Sequence, residues 1–318
     1  MKTLKSTYSK LGIILTIVSV MLLAACGGTG EKEKAGDDSK GYSVKHAMGA
    51  TKVKSAKRVV VLTNEGTEAV LAMGVKPVGA VKSWLGNPWY DHIKGEMKGV
   101  EVVGDESQVN LEKIASLKPD LIIGNKMRQE KIYDQLNKIA PTVFSEDLRG
   151  NWKSNFKLYS KALNKEEQGN KVISDYDQRV KEIKEKAGNN LNKEISIVRF
   201  MPGISRIYLT NSFSGVVLDQ LGFKRPKVES KDDFVAEVTK EQIPQMDGDE
   251  LFYFTYEVGD GGATKQEKEW TNDPLWKNLS AVKNGHVHKV SDAIWNTAGG
   301  VKAANLLLDD IEKYLVKK

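Results

Sequence analysis

The feature that most constrains this chain is an alternation of short apolar runs with helical segments. Continuous apolar runs joined through helices are typical of parallel sheets, whose strands are buried on both faces. In the first half such runs occupy residues 58–62, 76–81, 121–124 and 141–144. The same alternation restarts at residues 195–200 and continues to a closing helix over residues 300–316. The sequence therefore predicts an α/β protein built in two halves.

One long helix is predicted between these halves. From Lys165 to Ala187 the apolar residues recur on one stripe, and Gly188 ends the pattern. Asn164 followed by Glu167 predicts a capping box at its start. A helix of this length spans about 35 Å. We interpret it as a rigid strut between two α/β lobes, rather than as an ordinary surface helix of one domain.

A short internal echo favours two lobes of similar build. Glu112 precedes Asp120 by eight residues, Glu241 precedes Asp249 by the same interval, and an apolar strand follows each pair. Two similar units separated by a strut explain this spacing. The predicted divisions are a signal peptide over residues 1–25, a tether over 26–41, a first lobe over 42–163, the linker helix over 164–188 and a second lobe over 189–318.

The N-terminus predicts export and lipid attachment. Lysines precede an apolar run over residues 11–25, which ends in Leu-Ala-Ala before Cys26. The run is shorter than the roughly 20 apolar residues that a membrane span requires. Cys26 is the only cysteine, so its acylation leaves no thiol for a disulfide or for catalysis. The polar, glycine-rich segment that follows is expected to be a flexible tether.

The charge of the chain excludes some partners. The formal net charge of +6 falls to +3 on removal of the signal segment, because that segment holds three lysines and no acidic residue. Such a small charge indicates neither nucleic-acid binding nor a polybasic membrane surface. Only seven of the 48 basic residues are arginines. Their positions are informative because arginine is the side chain suited to bidentate contacts with carboxylates.

Enzymatic motifs are missing from the sequence. It contains no phosphate-binding glycine loop and no Gly-x-Ser-x-Gly segment. The rival hypothesis, an exported α/β hydrolase, would require Ser83 or Ser205 to pair with His286 or His288. The two histidines share a strand face, yet two ligands do not make a metal site. We therefore expect no catalytic residue and no metal ligand set.

Cations and aromatic residues gather at the ends of predicted strands. In open α/β sheets, ligands bind outside the carboxyl ends of the strands. Each of these side chains could instead be structural, and Tyr208 and Tyr256 are balanced between the two possibilities. Arg199 is the exception, because an arginine that continues the apolar strand over 195–200 needs a partner. The set is Trp84, Arg128, Arg199, Arg206, Tyr208, Tyr256 and Trp295.

Several segments together resemble the iron-siderophore-binding lipoproteins, the helix-linked class of substrate-binding proteins. The resemblance runs from about Lys57 to the C-terminus and includes residues 71–79, 110–123, 198–203, 212–218 and 270–279. It implies two Rossmann-like α/β lobes joined by a single long helix, with a shallow ligand cleft between the lobes. It also implies that the seven residues above contact the ligand. The stretch Arg199-Phe-Met-Pro-Gly203 is most similar to binders of hydroxamate or citrate-hydroxamate siderophores of the schizokinen type.

The resemblance also implies partners. It predicts a monomer that is anchored through Cys26 on the extracellular side of the membrane of a Gram-positive-type bacterium. Glu112 and Glu241 would dock on an ABC permease dimer. The siderophore wraps the iron, so the protein would need no cofactor of its own. Haem, a corrinoid or a catecholate complex remain alternative ligands.

Two further expectations concern closure of the lobes and the role of Arg199. A continuous strut resists bending, so closure on the ligand should be small. If Arg199 pairs with an anionic ligand, its removal should weaken binding and hardly change the melting temperature of the ligand-free protein.

Overall fold

The computed structural model describes residues 41–316. The predicted signal peptide, the predicted acylation site Cys26 and residues 26–40 of the predicted tether lie outside the described residues. Within residues 41–316, no helix combines the length and the apolar character that a membrane crossing demands.

The first lobe is a five-stranded parallel sheet with helices around it. Its strands pair in the order β5-β4-β3-β6-β7, and every pairing in this sheet is parallel. A separate antiparallel hairpin, β1 and β2, precedes the sheet. The strands are β1 (Tyr42–His46), β2 (Gly49–Val53), β3 (Val59–Val61), β4 (Gly79–Ala80), β5 (Glu101–Val102), β6 (Leu121–Asn125) and β7 (Thr142–Ser145). The helices are α1 (Asn64–Ala72), α2 (Leu111–Ser116), α3 (Lys126–Gln129), α4 (Tyr133–Ile139) and α5 (Trp152–Ala162).

The predicted strut is the helix α6 (Glu166–Ala187). Its apolar stripe is buried at Ile173, Tyr176, Val180 and Ile183. The predicted capping box is wrong. Asn164 has a φ of 54° and lies before the cap residue, and no side chain caps the helix.

The second lobe has a sheet with the same order of positions but with mixed strand directions. The order is β10-β9-β8-β11-β12; β8, β11 and β12 are parallel, whereas β9 and β10 are antiparallel to their neighbours. The strands are β8 (Ile195–Met201), β9 (Ile204–Tyr208), β10 (Val235–Val238), β11 (Glu250–Thr255) and β12 (Val287–Lys289). The helices are α7 (Phe213–Leu221), α8 (Gly262–Thr271), α9 (Pro274–Lys277), α10 (Ser280–Lys283) and α11 (Val301–Ile311). The predicted α/β fold of two lobes joined by one long helix is confirmed.

The internal echo has a structural counterpart. Glu112 lies in the first turn of α2, directly before β6, and Glu241 lies in the first turn of the 3₁₀ helix Lys240–Met246, directly before β11. β6 pairs with β3 in one sheet, and β11 pairs with β8 in the other. The two glutamates therefore occupy topologically equivalent positions in the two lobes.

The closing helix α11 also joins the lobes, because it packs on α1 of the first lobe as well as on α7 of the second. The buried Glu68 carboxylate of α1 accepts the Ala303 N–H of α11 at 2.8 Å. A Cβ on Gly300 would lie 2.7 Å from Glu68, so this close approach requires glycine. Lys302 pairs with Glu96 at 3.0 Å. These contacts add to the stiffness that α6 provides.

Candidate ligand-binding cleft

A cavity of about 400 Å³ opens between the carboxyl ends of the two sheets. We call it the cleft. The first lobe lines it with Glu65, Trp84, Glu106, Met127, Arg128, Leu148 and Arg149, and the second with Arg199, Arg206, Tyr208, Phe213, Phe234, Tyr256, Asn296, Thr297, Ala298 and Gly299. Six of the seven residues predicted to bind ligand are in this lining. The volume is within the usual range for small-molecule sites.

Trp295 is the exception, and its prediction as a ligand contact is wrong. Its side chain is fully buried, stacks on Phe252 with ring centroids 4.6 Å apart, and donates its indole N–H to Asp310 at 2.9 Å. Trp295 therefore belongs to the core beneath β11. The residues that follow it, beginning with Asn296, line the cleft instead.

The first lobe presents an arginine that is held between a carboxylate and an aromatic ring. Arg128 Nε lies 3.4 Å from the buried Glu106 carboxylate, and its guanidinium lies 5.7 Å from the centre of the Trp84 ring. The Asn64 backbone N–H and side-chain amide donate to Glu106 at 2.7 and 2.8 Å. Burial raises the pKa of Glu106, and the bonds from Asn64 and the charge of Arg128 oppose that effect. Glu106 thereby provides a buried acidic partner for Arg128 at the wall of the cleft.

The second lobe also holds an arginine between a carboxylate and an aromatic ring. Arg199 contacts Asp292 through two N–H groups, at 2.6 and 3.1 Å, and donates a third to the Tyr208 hydroxyl at 3.1 Å. Its guanidinium lies 4.6 Å from the centre of the Tyr256 ring. Arg199 is 6% exposed and Asp292 4%. The partner that an arginine in an apolar strand requires is therefore a carboxylate of the protein itself, which the sequence did not indicate.

A row of charges runs across the second sheet beside this pair. Glu237, Arg206 and Arg199 are direct neighbours on β10, β9 and β8. Like charges directly opposite each other are destabilising. Arg206 compensates by donating to Glu237 Oε1 at 2.8 and 3.2 Å. The sheet thereby places two arginines side by side at the cleft, each with its own acidic partner.

Arg149 is a cleft residue that the sequence did not single out. It belongs to the 3₁₀ turn Arg149–Asn151 that precedes α5, and its φ of 77° is unusual for a residue other than glycine. Its guanidinium lies 4.6 Å from the centre of the Phe234 ring in the other lobe. Within residues 41–316 it has no ion-pair partner. Its charge is therefore the one uncompensated arginine charge of the cleft.

Glu65, in the first turn of α1, is a second residue of the cleft lining that the sequence did not indicate. It is 5% exposed. Its carboxyl group accepts from Asn155 at 3.3 Å and from Tyr159 at 3.4 Å. Burial raises the pKa of Glu65 to about 8. Of the acids lining the cleft, Glu106 has a cation beside it and Glu65 has none among the described residues.

The pairs required by the rival hydrolase hypothesis do not form. Ser83 Oγ accepts the Tyr90 N–H at 3.0 Å, and Ser205 Oγ accepts from Gln266 at 3.1 Å. His288 lies on β12, two strands away from β8, and its Nε2 contacts Glu250 at 2.8 Å. The two serines and this histidine thus serve separate local contacts.

The two matched glutamates point away from the core. Glu112 and Glu241 are exposed, and each helix start is capped by a neighbouring side chain, Asn110 in the first lobe and Thr239 in the second. A hydrogen bond from Thr239 lowers the pKa of Glu241. Glu241 is therefore a carboxylate at neutral pH.

Metal ligands are not gathered in this site. In the described part of the chain, no group of three or more histidine, cysteine, aspartate or glutamate residues is arranged to hold a metal ion. The cleft offers guanidinium groups and aromatic faces, which suit a large anionic organic ligand.

Two α/β lobes, one connecting helix and a cleft at the strand ends define a substrate-binding protein of the helix-linked class. The chain belongs to the periplasmic binding protein family, whose sequence pattern matches residues 59–293. This is a family of binding proteins rather than of enzymes.

Relatives and solved structures resemble the whole folded part. The chain is 56% identical over 318 residues to the probable siderophore-binding lipoprotein YfiY of Bacillus subtilis, covering 96% of this chain and 97% of that protein. It is 33% identical to the Fe(3+)-citrate-binding protein YfmC of Bacillus subtilis, covering 96% and 98%. Staphylococcus aureus SirA, solved in complex with staphyloferrin B, superposes with a TM-score of 0.80 at 40% identity, covering 86% of this chain and 98% of SirA.

Proposed function

We propose that this protein is the lipid-anchored, monomeric substrate-binding component of an ABC importer and that it captures a ferric siderophore of the citrate-hydroxamate type at the outer surface of the membrane. The names of its relatives support a ferric siderophore. The observation that carries the proposal is the composition of the cleft. Four of the seven arginines line it, and no lysine among residues 41–316 does.

Arginine is suited to this ligand because its planar fork binds carboxylate oxygens through two hydrogen bonds. Trp84 and Tyr256 add faces against which the apolar arms of a siderophore can pack. The siderophore surrounds the iron with its own oxygen atoms. The protein then recognises the outer surface of the complex and requires no metal ligand of its own.

The charge balance of the cleft favours a ligand with few negative charges. Arg128, Arg199 and Arg206 are each offset by a protein carboxylate. Arg149 remains as a single uncompensated positive charge. A triply anionic catecholate complex would leave about two negative charges without a cationic partner in the cleft, which is unfavourable. A citrate-hydroxamate complex of lower charge avoids this cost.

The test is a titration of the purified protein with a panel of ligands, followed by tryptophan fluorescence. The panel contains ferric schizokinen, ferric desferrioxamine, a ferric tris-catecholate, haem and cobalamin. We expect ferric schizokinen to bind most tightly and to quench fluorescence, since Trp84 lies in the lining. Tightest binding of the catecholate, haem or cobalamin would contradict the ligand class. Turnover of an acyl ester with no binding to any ferric complex would contradict the whole proposal.

Handover to the permease is proposed to use Glu112 and Glu241. Both are exposed, both occupy the same position in their lobes, and a two-fold permease demands two similar contacts. A first-turn carboxylate is also favoured by the helix dipole alone, worth about 0.3–1 kcal/mol, but that effect does not explain the matched positions. We expect Glu112→Ala with Glu241→Ala to leave ligand affinity unchanged and to lower iron uptake by cells sharply.

The control removes the same charge elsewhere. Glu182→Ala with Glu185→Ala on the exposed face of α6 should leave uptake normal. Normal uptake in the Glu112/Glu241 double variant would remove the docking role. Lost ligand affinity would instead assign these residues to the cleft. The anchor is tested separately by Cys26→Ser, which should release the protein into the medium.

A further inference from the structure

Glu65 is the feature of the cleft that the proposed function leaves unused. A site for an anionic ligand contains a carboxyl group that is almost fully buried and has no cation beside it among the described residues. Ionised, it would repel the ligand and be expensive to bury. A role for this group must therefore start from its neutral form.

The surroundings of Glu65 keep it neutral. Two other acids, Glu106 and Asp147, act on it from the loops after β5 and β7, and both disfavour its ionisation. Burial contributes more than either, and together these effects raise its pKa to about 8. The hydrogen bonds from Asn155 and Tyr159 oppose the shift.

Apart from Arg149, the remaining charged groups near the cleft have partners of their own. Tyr159 on α5 shares a shorter hydrogen bond, 2.7 Å, with Ser145. Arg128 is paired with Glu106, and the arginines of β8 and β9 with Asp292 and Glu237. One turn along α1, Glu68 is bound by His92 and α11. Arg149 lies against Phe234.

The hydrogen bonds that Glu65 receives leave its own proton available. The contacts with Asn155 and Tyr159 are 3.3 and 3.4 Å long, and both side chains donate nitrogen or hydroxyl protons towards the carboxyl oxygens. Glu65 is itself one of the residues that line the cavity. A neutral carboxylic acid there can donate its O–H to an oxygen atom of a bound molecule.

We propose that Glu65 binds the ligand as a neutral carboxylic acid, donating its O–H to a ligand oxygen, and that it selects ligands presenting an acceptor oxygen at this point of the cleft. This inference rests on the proposed function, since a ferric citrate-hydroxamate complex presents carboxylate and hydroxamate oxygens. Because only the protonated acid donates, ligand affinity is coupled to pH. Binding stabilises the proton on Glu65, so affinity is full below pH 8 and falls as the pH rises above it.

The test compares three proteins with ferric schizokinen between pH 6 and 9: the unaltered chain, Glu65→Gln and the control Glu185→Gln, which removes an exposed charge on α6. The amide of Glu65→Gln keeps the shape, donates a hydrogen bond and cannot ionise. We expect the unaltered chain and Glu185→Gln to bind about tenfold more weakly at pH 9 than at pH 7. Glu65→Gln should stay within about threefold of the unaltered chain at pH 6.5 and show no such fall.

Proton uptake gives an independent measurement. Calorimetry at pH 8.5 in two buffers with different ionisation enthalpies should show uptake of between about half a proton and one proton per ligand by the unaltered chain. Glu65→Gln should take up fewer protons per bound ligand than the unaltered chain. The same pH dependence in Glu65→Gln as in the unaltered chain would overturn the inference. So would tenfold tighter binding by Glu65→Gln at pH 6.5, which would identify Glu65 as a repelling carboxylate.

A measurement without ligand separates this inference from the proposed function. The Glu65 carboxyl resonance, assigned by its loss in Glu65→Gln, should titrate near pH 8 in the ligand-free protein. Titration near pH 4.5 would refute the neutral acid whatever the ligand is. Absence of ferric siderophore binding by the unaltered chain at any pH would instead refute the proposed function, and this inference with it.

Discussion

Removing Arg199 alone should destabilise the ligand-free protein strongly. The substitution Arg199→Met takes away the partner of Asp292, which is 4% exposed and contacts two N–H groups of Arg199. Breaking a buried pair from one side costs about 3–5 kcal/mol, because an uncompensated charge remains. An unfolding entropy of about 2.1 cal/mol/K per residue over residues 41–316 makes each kcal/mol worth about 1.7 °C of melting temperature. We therefore expect a decrease of about 5–9 °C.

The double variant Arg199→Met with Asp292→Asn shows whether the pair is the cause. The amide carries no charge and keeps the shape of the side chain, so no uncompensated buried charge remains. We expect the double variant to be more stable than Arg199→Met by about 2 kcal/mol, because the uncompensated buried charge is then removed. Calorimetry or thermal denaturation followed by circular dichroism measures both melting temperatures.

Ligand affinity supplies the other half of the test. Loss of charged hydrogen bonds to the ligand should weaken binding of ferric schizokinen by about 1.5–3 kcal/mol. A melting temperature of Arg199→Met within 2 °C of the unaltered chain would refute the argument from the buried pair. It would also restore the expectation from sequence that this arginine serves the ligand alone. Unchanged affinity with a large loss of stability would make Arg199 purely structural.

Three further outcomes are expected. Trp84→Phe should reduce the fluorescence quenching by ligand and weaken binding, because Trp84 lines the cleft. Trp295→Phe should lower the melting temperature and leave affinity unchanged, because Trp295 is buried in the core. The reverse pattern would contradict these assignments. Glu257 accepts hydrogen bonds from the backbone N–H groups of Thr264, Gly259 and Gly261, which lower its pKa to about 2. Glu257→Gln should therefore be less stable than the unaltered chain above pH 4.5, and this difference should disappear towards pH 2. A stability difference that does not change with pH would exclude this cause. Small-angle scattering should give nearly equal radii of gyration with and without ligand, because α6 and α11 both join the lobes. A large decrease in the radius of gyration on binding would show that these helices bend.

The strands and helices could be predicted because their signals are local. Continuous apolar runs predicted β3, β6, β7 and β8, and one apolar stripe predicted α6. The direction of β9 was also accessible. Met201 ends β8 and Ile204 begins β9, so two residues connect them, and Gly203 has a φ of 71°. So short a connection permits only an antiparallel pair.

The carboxylates of the cleft were not accessible in the same way. Asp292 and Glu106 lie 93 and 22 residues from the arginines they contact. Glu106 comes from a loop and Asp292 from the start of the turn Ala293–Thr297, and neither carries a distinctive spacing. Only the folded chain brings them together. Arg149 did carry a signal, because it is one of only seven arginines in the chain.

Trp295 was misassigned for a reason of register. It follows the last strand, as a ligand contact would, but the π-helical turn Ala293–Thr297 directs its side chain beneath the sheet. The next residue, Asn296, faces the cleft. An error of one position in a turn therefore moves a side chain from the site to the core, and no periodicity in the sequence fixes that position.

The carboxylates opposite the arginines explain how the cleft can bind an anion reversibly. Four unpaired arginines in one cavity would repel each other and destabilise the empty protein. Here three are held in place by Glu106, Asp292 and Glu237, so little side-chain entropy is lost when a ligand arrives. Because the guanidinium groups of these three arginines are already partly neutralised, the ligand gains oriented hydrogen bonds without a large attraction between net charges. Recognition then comes mainly from the geometry of the hydrogen bonds, and only Arg149 adds an uncompensated charge. A weak net charge attraction of this kind suits a binding protein that must release its ligand to a permease.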